Sequence, residues 1–445
     1  MMDIKELYKL YTQHPCITTD SRQCPEGSIF LALKGESFNG NLFAVQALEK
    51  GCAYAIVDED IAVANSQFSI LNSQLIKVDN CLQTFKDLAR EHRRQFDIPV
   101  VGITGTNGKT TTKELIRAVL AECYSVMATE GNFNNDVGVP KTLFRLDEMT
   151  EIAVVEMGAS HPGDIKTLVE TAEPTCGLIT NVGRAHLQGF GSFEGVCKTK
   201  GELYDYLFEH QLPVFVNHDN EHLMQMSDKL TDVYYYGQKN DNHIVILGEV
   251  VSCAPFLKFR WREQDYDAGY IGDWMEVQTH LIGAYNLDNM LAAITVGYVN
   301  NIPFEQINHA LSHYVPTNNR SQLTETEKNH LIVDAYNANP TSMKAAIDNF
   351  RMMEVSPKMA ILGMMGELGD VSKEEHQKVI DMLQEARFDE VWLVGSAFQQ
   401  LDSPFRTFAN VDEVKDAIAQ QQPAGRYILI KGSNSVKLFQ LPELL

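Results

Sequence analysis

The stretch Val100-Val101-Gly102-Ile103-Thr104-Gly105-Thr106-Asn107-Gly108-Lys109-Thr110-Thr111-Thr112 carries the residue types needed to grip a phosphate. An apolar run predicts a buried strand. Glycines then predict a turn whose backbone N–H groups wrap an anion. A helix follows, with Leu115, Ile116, Val119 and Leu120 on one face. Its N-terminus adds partial positive charge at the same point. Lys109 would supply a full charge to the terminal phosphates, and the Thr110 hydroxyl a Mg²⁺ ligand. The general phosphate-loop pattern asks for glycine where Ile103 stands.

Further chemistry-bearing residues come at the ends of later strands. Ile152-Ala153-Val154-Val155-Glu156 reads as a buried strand ending in a carboxylate, just before Met157-Gly158. Beyond the carboxyl end of a parallel strand, Glu156 is placed to ligate Mg²⁺. Thr180-Asn181-Val182-Gly183-Arg184-Ala185-His186-Leu187 again follows an apolar strand, Cys176 to Val182. His186 offers an imidazole, and Lys198-Thr199-Lys200-Gly201 opens a helix. Taken singly, each has a bland explanation: a solvated glutamate, a structural histidine, a lysine-rich surface.

These residues need a scaffold, and alternating strand and helix signals supply one. The chain has 445 residues, 44% hydrophobic and 22% charged, enough for about three domains with cores. The expected fold is α/β. Residues 1–95 form a small N-terminal α/β domain, with Lys34 to Asn41 as a loop. Residues 96–314 form a central P-loop domain around a parallel sheet, and His243 to Gln278 read as an antiparallel edge. Residues 315–445 form a C-terminal Rossmann-like domain with strands at Leu331–Asp334, Met359–Gly363, Val391–Gly395 and Tyr427–Ile430.

The net charge of −22 with no basic stripe argues against a nucleic-acid partner. The eight cysteines form no C-x-x-C pair, which disfavours zinc and disulfide frameworks. No apolar run reaches the ~20 residues of a membrane span, and the N-terminus has no apolar signal core. A cytoplasmic protein with no membrane insertion is the expectation.

The order Gly105-Thr106-Asn107-Gly108-Lys109-Thr110, Glu156, His186, then Lys200 with Tyr204 four residues on, resembles the Mur ligase family. These are ATP-dependent amide-forming enzymes of peptidoglycan synthesis, related to folylpolyglutamate synthase. Family phosphate loops also lack the strict first glycine. The resemblance spans essentially the whole chain. Asp334-Ala335-Tyr336-Asn337-Ala338-Asn339-Pro340, Leu362-Gly363-Met364-Met365-Gly366-Glu367, Ile430-Lys431-Gly432-Ser433 and Asn132 to Pro140 are similar to the branch that adds D-alanyl-D-alanine to UDP-N-acetylmuramoyl-tripeptide. The Asp-Asn-Pro-Arg stretch of the diaminopimelate-adding branch is missing.

The resemblance implies ATP and two Mg²⁺ ions. Gly105 to Thr111 would hold the phosphates, with catalytic Lys109 on the β- and γ-phosphates. Thr110 and Glu156 would ligate the first ion and His186 a second, joined by Lys200, which several members carbamylate with CO₂. Asn286 and Asn289 would lie near adenine, Asp334 on the ribose and Arg320 near the γ-phosphate. Ser21, Arg22, Asn39, Gly40 and Asn41 would bind the uridine diphosphate, and Asn135 and Arg184 the muramoyl-peptide. Tyr336, Asn337 and Asn339 belong to the substrate-binding signature. Tyr285, Met364, Asn434 and Asn39-Gly40-Asn41 depart from the family pattern. A monomer suits a hinged three-domain enzyme. Rival readings are a sister ligase adding another amino acid, a phosphate-loop binding protein without ligation, and a simple phosphotransferase.

Overall fold

The computed structural model describes residues 2–35, 37–61, 73–253, 255–266, 268–316 and 322–445. Three sheet-centred units follow one another along the chain. In the first, four parallel strands run in the order Ile17–Thr18, Ile29–Leu31, Tyr54–Val57, Leu75–Lys77. Helices Ile4–Gln13, Ala44–Glu49 and Cys81–Arg93 accompany them. The first begins in a capping box: Asp3 accepts from the Lys5 amide, and Glu6 reaches back to the Asp3 amide. The expected loop from Lys34 to Asn41 is more ordered than its composition suggests. Lys34–Gly35 pairs antiparallel with Phe38–Asn39, and a 3-10 turn covers Gly40–Phe43. The Asn39 side chain makes that turn by accepting from the Asn41 amide, an option open to asparagine and closed to most residues.

The middle unit is built on a parallel run ordered Val126–Ala128, Ile152–Glu156, Val100–Thr104, Cys176–Ile179, Val214–Asn217, Val233–Gly237. Both faces are covered, which is why these strands read as unbroken apolar runs. Val101, Ile103 and Val154 pack with the helix Lys109–Leu120 and the helix Asn286–Val299. Val100, Ala153 and Val155 face the opposite core. The helix Asn286–Val299 is apolar around nearly its whole circumference and is buried accordingly. The strand-rich stretch from His243 onward does not stand apart. Ile244–Cys253 joins the sheet parallel to Val233–Gly237, and Phe256–Asp265 and Met275–Ile282 extend it antiparallel.

In the third unit the order is Gln322–Glu325, His330–Asp334, Tyr427–Lys431, Lys358–Gly363, Glu390–Val394, Arg406–Phe408. All neighbours are parallel except the first pair. Leu331 and Val333 point to one core, Ile332 to the other, so the sheet is covered on both faces. The antiparallel edge and the strand Arg406–Phe408 add to the four strands expected from sequence. Among the described residues no helix is long and apolar enough to cross a membrane.

Candidate active site

Strand Val100–Thr104 delivers the phosphate loop to the carboxyl edge of the middle sheet. Two glycines make the loop what it is. Gly105 has φ +142°, and a Cβ there would sit 2.0 Å from Thr180 Oγ1. Gly108, at φ +79°, caps the helix Lys109–Leu120, and its Cβ would meet Asn289 Oδ1 at 2.7 Å. Larger side chains are excluded by conformation and by space at both positions.

The neighbouring strand end props this loop from below. The Asn107 amide donates to Asn181 Oδ1 at 3.0 Å, and Asn181 Nδ2 returns a bond to the Asn107 carbonyl. Thr180 Oγ1 donates to the same carbonyl at 2.6 Å, and the Gly183 amide to Thr106 Oγ1. Lys109 Nζ donates to the carbonyls of Gly105 and Thr106, which holds the ammonium at the loop's mouth.

Glu156 ends the next strand and is 1% exposed. Its Oε1 accepts from Asn134 Nδ2 at 2.8 Å, while its buried Oε2 has no hydrogen-bond partner. Lys113, fully buried, stands 3.9 Å from that oxygen and donates to the Thr129 carbonyl. An unsatisfied buried carboxylate oxygen beside a phosphate loop is a donor set that suits a hard divalent cation.

His186 is held at φ +51° at the start of a single helical turn, Leu187–Phe190, with Nδ1 against the Glu367 carboxylate of the third unit. Burial, reinforced by Lys109 and Lys200, pushes its imidazole below the usual histidine range, against the pull of Glu367. Lys200, on the helix Phe193–Glu209, is 2% exposed with its ammonium over the Phe190 ring. Burial first, and the charge of Lys109 second, hold it well below the ordinary lysine range.

These elements open onto a cleft of about 880 Å³ between the units. Of the residues singled out from sequence, Thr106 to Thr111, Asn135, Glu156, His186, Asn286, Asn289, Asp334, Tyr336 and Asn337 line it. Asn286 and Asn289 are bonded to each other, and Asn289 accepts from Thr112. Asn339 caps the helix Pro340–Met352 and exchanges amide bonds with Asn107, tying the third unit to the phosphate loop. Gly105 and Lys200 lie behind the lining. Arg184 points to Glu375 at 3.3 Å and not into the cleft.

Ser21, Arg22, Asn39, Gly40 and Asn41 are on the first unit and outside the cleft wall. Arg22 is exposed and paired with Asp20. Asn41 is buried and fully engaged with Asn39 and Asp58. Arg320 lies outside the described residues. Sequence reasoning gave no role to Lys113, to Lys86 of the first unit, or to Asn134, Asn181 and Lys431, although the last three stand inside the recognised motifs; the buried Lys431 Nζ donates to Asp334 Oδ2 at 2.6 Å. Lys113 carried a signal, since a lysine on the apolar stripe of an amphipathic helix must find partners indoors.

Family comparison fits this arrangement domain by domain. Residues 15–93 match the Mur ligase family catalytic domain, 103–297 the Mur ligase middle domain, and 319–434 the Mur ligase glutamate ligase domain. This chain belongs to the Mur ligase family. Among relatives of this Mur ligase, the UDP-N-acetylmuramoyl-tripeptide–D-alanyl-D-alanine ligase of Bacillus subtilis is 33% identical over 96% of this chain and 92% of its own length. The enzyme of the same name from Escherichia coli is 30% identical, covering 96% and 93%. MurF from Acinetobacter baumannii superposes with a TM-score of 0.84 at 28% identity, over 96% of this chain and 92% of that one. MurF ligase from Thermotoga maritima, solved in complex with ADP, gives 0.84 at 25% identity, covering 100% and 98%.

Proposed function

We propose that this Mur ligase joins D-alanyl-D-alanine to UDP-N-acetylmuramoyl-tripeptide at the expense of ATP, in peptidoglycan precursor synthesis. The observation that carries the reading is the convergence on one cleft of the phosphate loop, the orphaned Glu156 oxygen and the third unit's Asp334 and Lys431. The printed activity of relatives matched along nearly the full chain names the substrates.

The chemistry proceeds in two stages. The tripeptide's terminal carboxylate attacks the γ-phosphorus of ATP and ADP leaves, giving an acyl phosphate. The D-alanyl-D-alanine amine then attacks the acyl carbon, and phosphate leaves as the amide forms. In the first stage two anions meet, so charge must be spread. Lys109 and the amides of Gly105 to Thr111 take the phosphate oxygens. Mg²⁺ bound by Thr110, Glu156 and His186 would supply Lewis-acid stabilisation of the transferring phosphoryl group. Asn134 and Lys113 hold the Glu156 carboxylate in place for that duty. Asp334 is oriented by Lys431 for a ribose hydroxyl. Ser21, Arg22 and residues 39–41 bind the uridine diphosphate, with the intervening gap closed by domain movement.

Lys200 is suited to carbamylation because the amine that attacks CO₂ must be neutral, and its surroundings favour that form. A density map at Lys200 from crystals grown with bicarbonate tests this, and an unmodified amine refutes it. We place the enzyme in the cytoplasm and acting as a monomer.

The deciding assay is ADP release with UDP-N-acetylmuramoyl-tripeptide, with and without D-alanyl-D-alanine. Dependence on both substrates is expected. Hydrolysis indifferent to either would favour a nucleotide-binding protein without ligation, and response to a different amino acid a sister ligase.

A further inference from the structure

A second cluster of chemistry-bearing side chains lies outside the cleft wall, at the ends of the strands Val214–Asn217 and Val233–Gly237. His218 follows the first strand, and Asp241 and His243 stand on the turn that leads into Ile244–Cys253. Asp241 Oδ1 is 2.8 Å from His243 Nδ1 and 3.6 Å from His218 Nε2. The two imidazoles are nearly parallel, 16° apart, with centroids separated by 6.3 Å. The three ligand atoms fall within 4.8 Å of one another. We propose that His218, Asp241 and His243 bind one divalent transition-metal ion, at a site distinct from the nucleotide cleft.

The donor set chooses the ion. Two imidazoles and one carboxylate suit zinc, cobalt, nickel or copper, whereas Mg²⁺ prefers oxygen. Around a tetrahedral ion with bonds of about 2.0–2.1 Å, ligand atoms stand about 3.4 Å apart. Closing from within 4.8 Å takes a rotation of the His243 side chain, which is 74% exposed. His218 is the fixed partner, 19% exposed and held by the edge of the Tyr235 ring.

Turn formation accounts for part of the cluster, because the His243 amide donates to Asp241 Oδ1. It does not account for His218, which arrives from a different strand to face the same oxygen.

An ion here would staple together two loops that build one side of the cleft. Asp219, next to His218, accepts from the Gln238 and Lys239 amides. Gln238 Nε2 donates to Asp288 Oδ1, and Asp288 and Asn220 both line the cleft.

The test is a cobalt(II) titration of the full chain under saturating Mg-ADP, followed by visible absorption. One equivalent should bind without the sulfur-to-cobalt charge-transfer band that cysteine ligation produces. His243→Ala and, separately, Asp241→Asn should each weaken binding at least about tenfold. His243 is exposed and Asp241 half-buried on the same turn, and circular dichroism should show both variants folded. An isotherm unchanged by both substitutions, no saturable uptake, or a thiolate band in the bound form would overturn the proposal.

Discussion

Replacing Lys113 by Met puts the most weight on the electrostatics of the site. The lysine side chain is fully buried. Its ammonium donates to the Thr129 carbonyl at 2.5 Å, lies 3.0 Å from Glu114 Oε1, and is the cation 3.9 Å from Glu156 Oε2. Methionine fills nearly the same space, so packing loss is small and the charge is the main thing removed. Glu156 would then keep a buried carboxylate whose one hydrogen bond comes from Asn134. Breaking a buried pair by deleting one partner costs about 3–5 kcal/mol. The long separation from Glu156 and the 25% exposure of Glu114, which water can relieve, argue for the lower end, about 3 kcal/mol. Urea unfolding read by amide exchange in the strands Val100–Thr104 and Ile152–Glu156 isolates the middle unit. In a Glu156→Gln background the same substitution should cost less than half as much, because no buried anion is left behind. A loss under about 1 kcal/mol, or an equal loss in both backgrounds, would refute the pairing.

Other parts of the site give further expectations. Lys109→Ala should lower kcat/KM by about 3–4 kcal/mol of transition-state stabilisation in the ADP-release assay, and near-wild-type turnover would sink the assigned role. His376 should make the third unit acid-sensitive. Its Nε2 accepts from the Met365 amide and its Nδ1 faces the Ser372 carbonyl, an arrangement that needs a neutral ring. Burial lowers its pKa in the folded state, so the unfolded chain takes up the proton more readily. Stability is therefore full above the unfolded value of about 6.5 and is lost as pH falls through the lower folded value. The protection factor at Met365, with the intrinsic pH dependence of exchange divided out, should fall over that range, and fall less in His376→Gln; a protection factor unchanged from neutral pH to 5 would contradict it. Asn339→Ala removes the cap from the Ser342 amide and the exchange with Asn107. A loss of about 1–2 kcal/mol in the third unit is expected by chemical denaturation, and Asn339→Ser should restore most of the cap but not the link to Asn107.

What the sequence disclosed follows from how each signal is generated. Strands such as Val100–Thr104 and Met359 to Gly363 are legible because burial on both faces forces a continuous apolar run, a property of neighbouring residues. The phosphate loop is legible for the same local reason: Gly105 and Gly108 are demanded by their own backbone angles. The hairpin at Lys34–Gly35 and Phe38–Asn39 escapes because its strands are two residues each, too short to show a period. Site residues divide along the same line. Asn286 and Asn289 reach the cleft by a helix running back to the loop, and the resemblance supplied that placement where periodicity could not.

Arg184 is the instructive case. Its position beside His186 suggests the cleft, yet its guanidinium turns to Glu375, a residue 95% withdrawn from solvent on its side chain and far along the chain. Glu375 already pairs with Lys378 on its own helix at 2.9 Å, and Arg184 adds a second cation to that buried carboxylate from the middle unit; nothing near Arg184 in sequence advertises it. The same reasoning explains the inward lysines. Lys113 faces Glu156, and Lys431 faces Asp334. In a chain of net charge −22 that must hold a polyanion, cations placed indoors beside acidic site residues keep those carboxylates ordered while lowering the local negative potential the nucleotide meets. The charge that matters here is therefore set by pairs across the sheet's carboxyl edge, which net composition does not reveal.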